Sequence, residues 1–180
     1  MNVLITGGAG YIGSHTCVEL LENGYDIVVM DNYCNSSPDV IGKIEQLAGR
    51  SFPSYNCDML DYDAFDRIFS ENKIDAVIHF AGLKAVGESV GKPLEYYNNN
   101  IGGTLNLLRL MKRHGVKSLV FSSSATVYGM NNQAPFREDM PLSVTNPYGS
   151  TKLMIENILR DVCAADESFK VSLLRYFNPI

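Results

Sequence analysis

The sequence predicts an α/β fold: a doubly wound parallel sheet with helices on both of its faces. Three observations support this prediction. Short β-rich runs alternate with longer helical patterns along all 180 residues, which favours repeated right-handed βαβ crossovers. Several of the runs are continuously apolar, as is typical of strands buried on both faces of a parallel sheet. The length suits a single domain with a substantial core.

Six strands are predicted, at 2–6, 26–31, 52–58, 75–82, 118–124 and 170–177. Five helices are predicted between them, at 12–23, 38–48, 61–72, 93–114 and 147–165. Ser37 and Asp61 are credible helix starts, and Gly115 is expected to end the fourth helix. The longest loop is 129–147, and long loops in such folds tend to line sites.

Composition and charge exclude several classes of protein. Apolar residues make up 46% of the chain and charged residues 19%, which indicates a soluble globular domain. A net charge of −5 disfavours nucleic acid as a partner, and no apolar run approaches the roughly 18 residues of a membrane span. The start has no basic region, so we expect no signal peptide.

The cysteines and histidines are scattered along the sequence. The four cysteines show no C-x-x-C spacing, so idle thiols in a reducing cytoplasm are expected, and cytoplasmic localisation with them. The three histidines are isolated from one another, and we therefore predict no metal site.

A glycine-rich turn follows the first strand and opens the first helix. Its Gly7, Gly10 and Gly13 suit a tight turn, close backbone approach to a pyrophosphate, and close packing of helix on strand. The helix N-terminus would supply N–H groups to phosphates. Asp31 follows Gly13 by 18 residues, where an acidic residue takes the adenosine ribose hydroxyls. The pattern predicts a Rossmann-type dinucleotide site; the alternative is a tight turn without a ligand.

The acidic residues also indicate which dinucleotide binds. The carboxylate of Asp31 would repel a 2′-phosphate, and the following NYCNSSPDVIG contains no Lys or Arg, so NAD is favoured over NADP. Asp58, at the end of the third strand, is placed to reach the adenine amine. It could equally be a plain strand-ending aspartate.

The stretch NPYGSTK raises the possibility of an acid–base pair. Asn146 is a good N-cap and Pro147 suits the first helical position, which puts Tyr148 in the first turn. Lys152 lies four residues later, on the same helix face. A nearby cation and the positive helix start are expected to lower the tyrosine pKa by roughly 1–3 units. The alternative is that both are ordinary surface side chains.

The glycine pattern, HFAGLKAVGES, SSSATVYG and the Tyr-x-x-x-Lys together resemble the extended short-chain dehydrogenase/reductase family, in its branch of nucleotide-sugar 4-epimerases. The resemblance runs through essentially the whole chain. It implies that Ser124, Tyr148 and Lys152 surround the nicotinamide, and that Asn178 lies beside the sugar nucleotide. Further implied cofactor contacts are Tyr11, Ile12, Asp31, Asn32, Asn35, Ser36, Asp58, Met59, Phe80, Ala81, Gly82, Lys84, Asn99, Tyr176 and Phe177.

The resemblance implies epimerisation at C4 of a UDP-sugar in galactose metabolism. Tyr148 as phenolate would accept the proton of the 4-hydroxyl while C4 gives a hydride to tightly held NAD. Ser124 would hydrogen-bond the same hydroxyl, and Lys152 would stabilise the phenolate and hold the nicotinamide ribose. Hydride would then return to the other face of the 4-keto sugar, without net redox.

Two other classes remain as alternatives. A 4,6-dehydratase or decarboxylase of the same superfamily needs a further acid or base before VYG, where this chain has Ala125 and Thr126. A non-catalytic NAD-binding module should have lost the Ser, Tyr and Lys trio, and all three residues are present.

The chain ends at RYFNPI, where the family continues into a smaller region that grips UDP and the sugar. We therefore expect 1–180 to be the NAD-binding domain, as a fragment or a truncated product, and its activity alone to be doubtful.

A homodimer is also possible, because the family commonly pairs through two long helices that match 93–114 and 147–165. Leu105, Leu108 and Met111 would either serve that pairing or pack against the sheet.

Overall fold

The structure is a computed structural model that describes residues 1–179. Its sheet has six strands: β1 (Asn2–Thr6), β2 (Asp26–Asp31), β3 (Ser54–Asn56), β4 (Ala76–His79), β5 (Ser118–Ser124) and β6 (Lys170–Tyr176). Every neighbouring pair is parallel, in the order β3-β2-β1-β4-β5-β6. The predicted doubly wound parallel sheet is confirmed.

Within residues 1–179, seven α-helices connect the strands: α1 (Tyr11–Glu22), α2 (Asp39–Ala48), α3 (Tyr62–Glu71), α4 (Val86–Gly91), α5 (Pro93–Tyr97), α6 (Gly103–His114) and α7 (Pro147–Ala165). A π-helical segment (Asn98–Gly102) joins α5 to α6, and a 3₁₀ turn (Ala125–Tyr128) follows β5.

The local signals at the helix ends act largely as predicted. Asp61 accepts a hydrogen bond from the N–H of Ala64 at 3.0 Å and begins α3. Asn146 accepts from the N–H of Gly149 at 2.8 Å and begins α7. Gly115 ends α6 in the left-handed conformation, at φ 73°. Ser37 instead lies one residue before the cap of α2, which is Pro38.

The predicted single helix over 93–114 is wrong, because the structure divides it into α5, the π-helical segment and α6. Gly103 allows the break to pack closely, since a Cβ there would lie 2.8 Å from Cε of Met59. Helix α4 was not predicted at all. It has only six residues and ends before Pro93, so it is too short to show a helical apolar period.

Two predicted strands are shorter than expected. Of the strand predicted at 52–58, only Ser54–Asn56 (β3) forms. It lies at the sheet edge and pairs with β2 alone. The strand predicted at 75–82 ends at His79. Beyond it, the N–H groups of Phe80 and Ala81 both donate to the carbonyl oxygen of Thr6, at 3.0 Å each, so the regular pairing of the strand is interrupted.

Two apolar cores hold the helices on the sheet. The larger lies between the sheet and α3, α6 and α7, and the smaller joins β1 and β2 to α1 and α2. Met111 and Leu108 belong to the larger core, with 0% and 9% of their surface exposed. These two residues therefore pack towards the sheet, whereas Leu105 is only half-buried.

Because all strands are parallel, their carboxyl ends meet at one edge of the sheet. The chain winds outwards in opposite directions from β1 and β4, which lie side by side. A crevice at the carboxyl ends of such a strand pair is where doubly wound folds bind ligands. No helix among residues 1–179 is both long and apolar enough to cross a membrane.

Candidate active site

A cavity of about 410 Å³ opens at the carboxyl edge of the sheet. It is lined by nearly all of the residues predicted from the sequence as cofactor, catalytic or substrate contacts. These are Gly7, Gly10, Tyr11, Ile12, Gly13, Asp31, Asn32, Asn35, Ser36, Met59, Phe80, Ala81, Gly82, Lys84, Asn99, Ser124, Tyr148, Lys152, Tyr176, Phe177 and Asn178.

The glycine turn is as tight as its sequence requires. Gly7 has φ 72°, a backbone conformation that residues other than glycine rarely adopt. A Cβ at this position would lie 2.6 Å from the backbone nitrogen of Ala81. A Cβ on Gly13 would lie 2.3 Å from the carbonyl oxygen of Gly7. The missing side chains therefore let α1 begin close against the turn, with its N-terminus facing the cavity.

Asp31 ties the glycine turn to the loop that follows β2. One carboxylate oxygen accepts from the N–H of Ala9 at 3.0 Å. The other accepts from the N–H of Tyr33 and from the hydroxyl of Ser36, both at 2.9 Å. The carboxylate is thus held at the wall of the cavity, as expected for a residue that meets a ribose.

Among the residues that the structure describes, Asp58 is the predicted contact that does not line the cavity. One of its carboxylate oxygens accepts from the amide of Asn32 at 2.9 Å, and the other from the N–H of Leu60 at 2.8 Å. Asp58 therefore holds the loop after β2 in place through Asn32. Its contact with the adenine amine stays a prediction.

Two buried polar side chains, those of Asn100 and His79, lie next in sequence to residues that line the cavity. Asn100, in the π-helical segment, accepts from the N–H of Leu83 at 2.8 Å and donates to its carbonyl oxygen at 3.0 Å. It thereby fixes the loop that contains Gly82 and Lys84. The π-helical turn also directs Asn99 into the cavity, and π-bulges are frequent at functional sites.

His79 joins β1 to the helix beyond the π-helical segment. Thr104 donates its hydroxyl to the carbonyl oxygen of Asn100, so it accepts from Nε2–H of His79 at 3.0 Å. Nδ1 then accepts from the hydroxyl of Thr6 at 2.6 Å. Burial, with a smaller contribution from the charge of Lys152, lowers the pKa of His79 to about 3. The ring is therefore a neutral structural link.

The predicted trio lies at the other end of the cavity. Ser124 is the last residue of β5. Tyr148 lies in the first turn of α7, and the backbone N–H of Tyr148 donates to the hydroxyl of Ser89 at 3.2 Å. Lys152 lies one turn further along α7. Its ammonium donates to the carbonyl oxygen of Ser122 at 2.7 Å and lies 5.9 Å from the centre of the Tyr148 ring.

The predicted lowering of the Tyr148 pKa is wrong for the chain on its own. Burial raises the pKa of Tyr148 above its usual value, and the neighbouring hydroxyl of Ser124 only partly offsets this. Burial also lowers the pKa of Lys152 to about 8, which weakens it as a fixed cation. The ammonium is directed at the Ser122 carbonyl rather than at the phenol, so desolvation dominates.

Several residues at the cavity were not predicted from the sequence. The lining also includes Met30, Cys57, Val86, Ser122, Ser123, Thr126 and Pro179. Of these, Val86 belongs to helix α4, which was missed. Cys34 and Leu83 also line the cavity, and they lie within the segments 31–36 and 80–84 that the family resemblance marks as cofactor contacts. The support from Ser89 to Tyr148 spans 59 positions of sequence, and no local pattern signals it.

Comparison with known proteins supports this geometry. A profile of the NAD dependent epimerase/dehydratase family matches residues 3–180. The chain belongs to this family. The resemblance found in the sequence motifs is thereby confirmed.

Curated relatives are similar along the whole chain. UDP-glucose 4-epimerase of Bacillus subtilis is 59% identical over 179 residues, which cover 99% of this chain and 53% of the relative. UDP-glucose 4-epimerase 2 of Arabidopsis thaliana is 59% identical over 182 residues, covering 99% and 52%. The chain thus spans about half the length of the curated relatives it matches.

Solved structures of the family share the fold closely. The crystal structure of UDP-glucose 4-epimerase from Bifidobacterium longum in complex with NAD+ and UDP has a TM-score of 0.98 and 55% identity, over 100% of this chain and 54% of that one. The Stenotrophomonas maltophila enzyme, with bound NAD and formylated UDP-arabinopyranose, has a TM-score of 0.97, 46% identity and the same coverage. These relatives are epimerases, and the dehydratase alternative is not favoured.

Proposed function

We propose that residues 1–180 form the NAD-binding domain of a UDP-glucose 4-epimerase. One observation carries the proposal: a single cavity joins the glycine turn and Asp31 at one end to Ser124, Tyr148 and Lys152 at the other. This arrangement suits a dinucleotide whose reactive ring lies beside an acid–base group. The curated relatives from Bacillus subtilis and Arabidopsis thaliana indicate the substrate class, UDP-sugars.

The residues at the first end fit NAD. The glycine turn leaves no side chain between the backbone and a pyrophosphate, and the N-terminus of α1 supplies N–H donors. Asp31 would accept from the ribose hydroxyls of the adenosine. Positions 32–42 contain no Lys or Arg to offset its repulsion of a 2′-phosphate. NAD would therefore bind in preference to NADP.

The trio at the other end would move the proton of the sugar. When bound, NAD would supply the hydride acceptor and donor for C4 and, in its oxidised form, a positive charge beside Tyr148. That charge opposes the desolvation which raises the pKa of Tyr148 in the chain alone. Tyr148 would then take the proton of the 4-hydroxyl as general base and later return it.

Ser124 and Lys152 would support that proton transfer. Ser124 and Tyr148 both line the reactive end of the cavity, so Ser124 would orient the phenol and contact the same sugar hydroxyl. Lys152 would hold the nicotinamide ribose and stabilise the phenolate. Asn178 lines the cavity beyond β6 and would contact the UDP-sugar. Most contacts with UDP would come from the further region that the family resemblance implies.

Homodimerisation is part of the proposal, and the exposed apolar side chains of two contacting helices support it. Leu94 on α5 and Met154 on α7 are 81% and 46% exposed, and α5 packs against α7. A pair of subunits would bury these side chains. Light scattering of the protein should give a dimer mass, and a monomer at all concentrations would contradict pairing.

Calorimetric titration of the nucleotide-free chain with NAD and NADP tests the proposed function. NAD should bind, and NADP should bind at least tenfold more weakly, because the 2′-phosphate meets Asp31. Asp31→Asn serves as the matched variant: it keeps the shape, removes the charge, and should reduce the discrimination. Absence of NAD binding, or equal affinity for NADP in the unaltered chain, would overturn the proposal.

A further inference from the structure

A buried ion pair lies directly behind the catalytic trio, and the reaction proposed above does not use it. Glu156 has no exposed side-chain surface, and the side chain of its partner Arg175 is 9% exposed. Nε of Arg175 donates to Oε1 of Glu156 at 3.0 Å, and Nη2 donates to Oε2 at 2.8 Å. This two-pronged geometry fixes both the distance and the orientation of the pair.

The same carboxylate also holds the end of β5. Oε1 of Glu156 accepts from the hydroxyl of Ser123 at 2.6 Å, and Ser123 immediately precedes Ser124. Arg160, which is about half exposed, donates to Oε2 at 3.0 Å. With two hydrogen bonds on each oxygen, the carboxylate is fully satisfied inside the protein.

Glu156 continues the functional face of α7. Tyr148, Lys152 and Glu156 are spaced four residues apart, so they lie one above the other on the helix. Lys152 donates to the carbonyl oxygen of Ser122, and Glu156 accepts from Ser123. Two successive turns of α7 therefore hold the two residues of β5 that come just before Ser124.

Arg175 extends the contact to β6 and to the loop beyond β5. It precedes Tyr176, which ends β6 at the cavity. Its Nη1 donates to the hydroxyl of Tyr128 at 3.1 Å and to the carbonyl oxygen of Glu138 at 3.3 Å. One carboxylate on α7 thus organises the ends of both strands that carry residues of the reactive end.

Stability alone does not account for such a pair. Burying two opposite charges costs desolvation, and well-packed apolar side chains of the same volume often serve equally well or better. What a doubly hydrogen-bonded pair supplies, and an apolar pair does not, is a fixed geometry. Here the geometry fixed is that of β5 and β6 relative to α7.

We propose that Glu156 is a positioning residue of the site: its hydrogen bonds with Ser123 and Arg175 hold Ser124 next to the phenol of Tyr148. Its importance for catalysis rests on the proposed function, but the positioning itself is a property of the chain alone. In the absence of Glu156, Ser124 moves away from the phenol. The hydroxyl of Ser124, which partly offsets the effect of burial, then lowers the pKa of Tyr148 less.

The test is the pKa of Tyr148 in the nucleotide-free chain, measured by NMR of ¹³Cζ-labelled tyrosine. Tyr148→Phe identifies the signal, and circular dichroism defines the pH range in which the fold persists. Glu156→Gln and Ser123→Ala should each raise this pKa by roughly 0.5–1 unit, as expected when a hydroxyl stabilises the neighbouring phenolate less well. Arg160→Gln is the matched control: it removes the exposed partner of the same carboxylate and should leave the pKa unchanged.

The direction of the shift separates positioning from simple electrostatics. Removing the negative charge of Glu156 would by itself favour the phenolate and lower the pKa of Tyr148. A fall in Glu156→Gln, or an unchanged pKa in Ser123→Ala, would overturn the proposal. If Glu156→Gln fails to fold, the pKa of Tyr148 in Ser123→Ala decides the proposal by itself. That variant removes only one hydroxyl and should therefore keep the fold. Failure of the proposed function would appear separately, as absent NAD binding by the unaltered chain.

Discussion

The two halves of the sheet are buried differently. Strands β1 and β2 are buried at almost every position, because α1 and α2 cover one face and the larger core covers the other. Strands β5 and β6 alternate between buried and more exposed positions. Leu173 packs on the larger core, whereas Leu174 is 42% exposed on the opposite face. No helix among residues 1–179 covers that face.

This difference coincides with the division of roles proposed for the two ends of the cavity. The half covered on both faces carries the glycine turn and Asp31, which suit the adenosine and pyrophosphate of a dinucleotide. The half covered on one face carries Ser124 and Tyr176 at its strand ends, with α7 supplying Tyr148 and Lys152. At the nucleotide end, helices and apolar cores on both faces of the sheet hold β1 and β2 in place. At the reactive end, the strand ends depend more on the internal polar contacts of Glu156 and Lys152.

The largest expected effect separates chemistry from binding. Tyr148→Phe should lower epimerase turnover by about 10²- to 10⁴-fold, because it removes the general acid–base group, and should leave the affinity for NAD unchanged. Turnover is to be measured in a chimera in which this chain precedes the second half of the Bacillus subtilis relative. In the same chimera Asp31→Asn should alter NAD affinity and spare the chemical step. A loss below fivefold in Tyr148→Phe would contradict the role of that residue.

A second prediction compares one apolar residue from each half. Leu4 in β1 is completely buried, so Leu4→Ala should lower the free energy of unfolding by about 2–5 kcal/mol. Leu174 in β6 keeps much of its surface in water, and Leu174→Ala should cost less than about 1 kcal/mol. Urea denaturation of the two variants measures both. Equal losses would show that the two halves are not supported differently.

A smaller effect is expected from the buried lysine at the reactive end. The pKa of Lys152 is lowered to about 8 in the folded chain by burial, whereas an unfolded lysine titrates near its usual value of about 10.4. The unfolded state therefore binds more protons between these values, and stability should rise with pH in this window by up to roughly 1 kcal/mol per unit. Lys152→Met should abolish this rise in urea denaturation from pH 8 to 10, and a rise of equal size in that variant would contradict the assignment.

The elements of the fold were largely readable from local sequence. Continuous apolar runs and the glycines between them located all six strands. Asn146 and Asp61 indicated where two helices begin, and the structure contains both side-chain caps. The break in the helix over 93–114 was not readable, because it depends on Asn100 bonding to Leu83 across the fold. The one-sided cover of β5 and β6 depends likewise on which helices pack there.

The site divides in the same way. Residues carried over from motifs reached the cavity because motif positions fix strand ends and helix starts. The pKa of Tyr148 was predicted in the wrong direction, because spacing along a helix says nothing about desolvation. Glu156 lies one turn beyond Lys152 on α7 and could have been noticed from that spacing. Its partners Ser123 and Arg175, however, come from β5 and β6, which are distant in sequence.

A crystal structure of the chain with NAD tests the division of labour most directly. The ribose hydroxyls of the adenosine should lie within hydrogen-bond distance of the Asp31 carboxylate, and the pyrophosphate should lie against Gly10 and the start of α1. The nicotinamide should lie beside Tyr148 and Lys152, at the ends of β5 and β6. The opposite orientation of NAD, or binding outside this cavity, would contradict the assignment of the two halves.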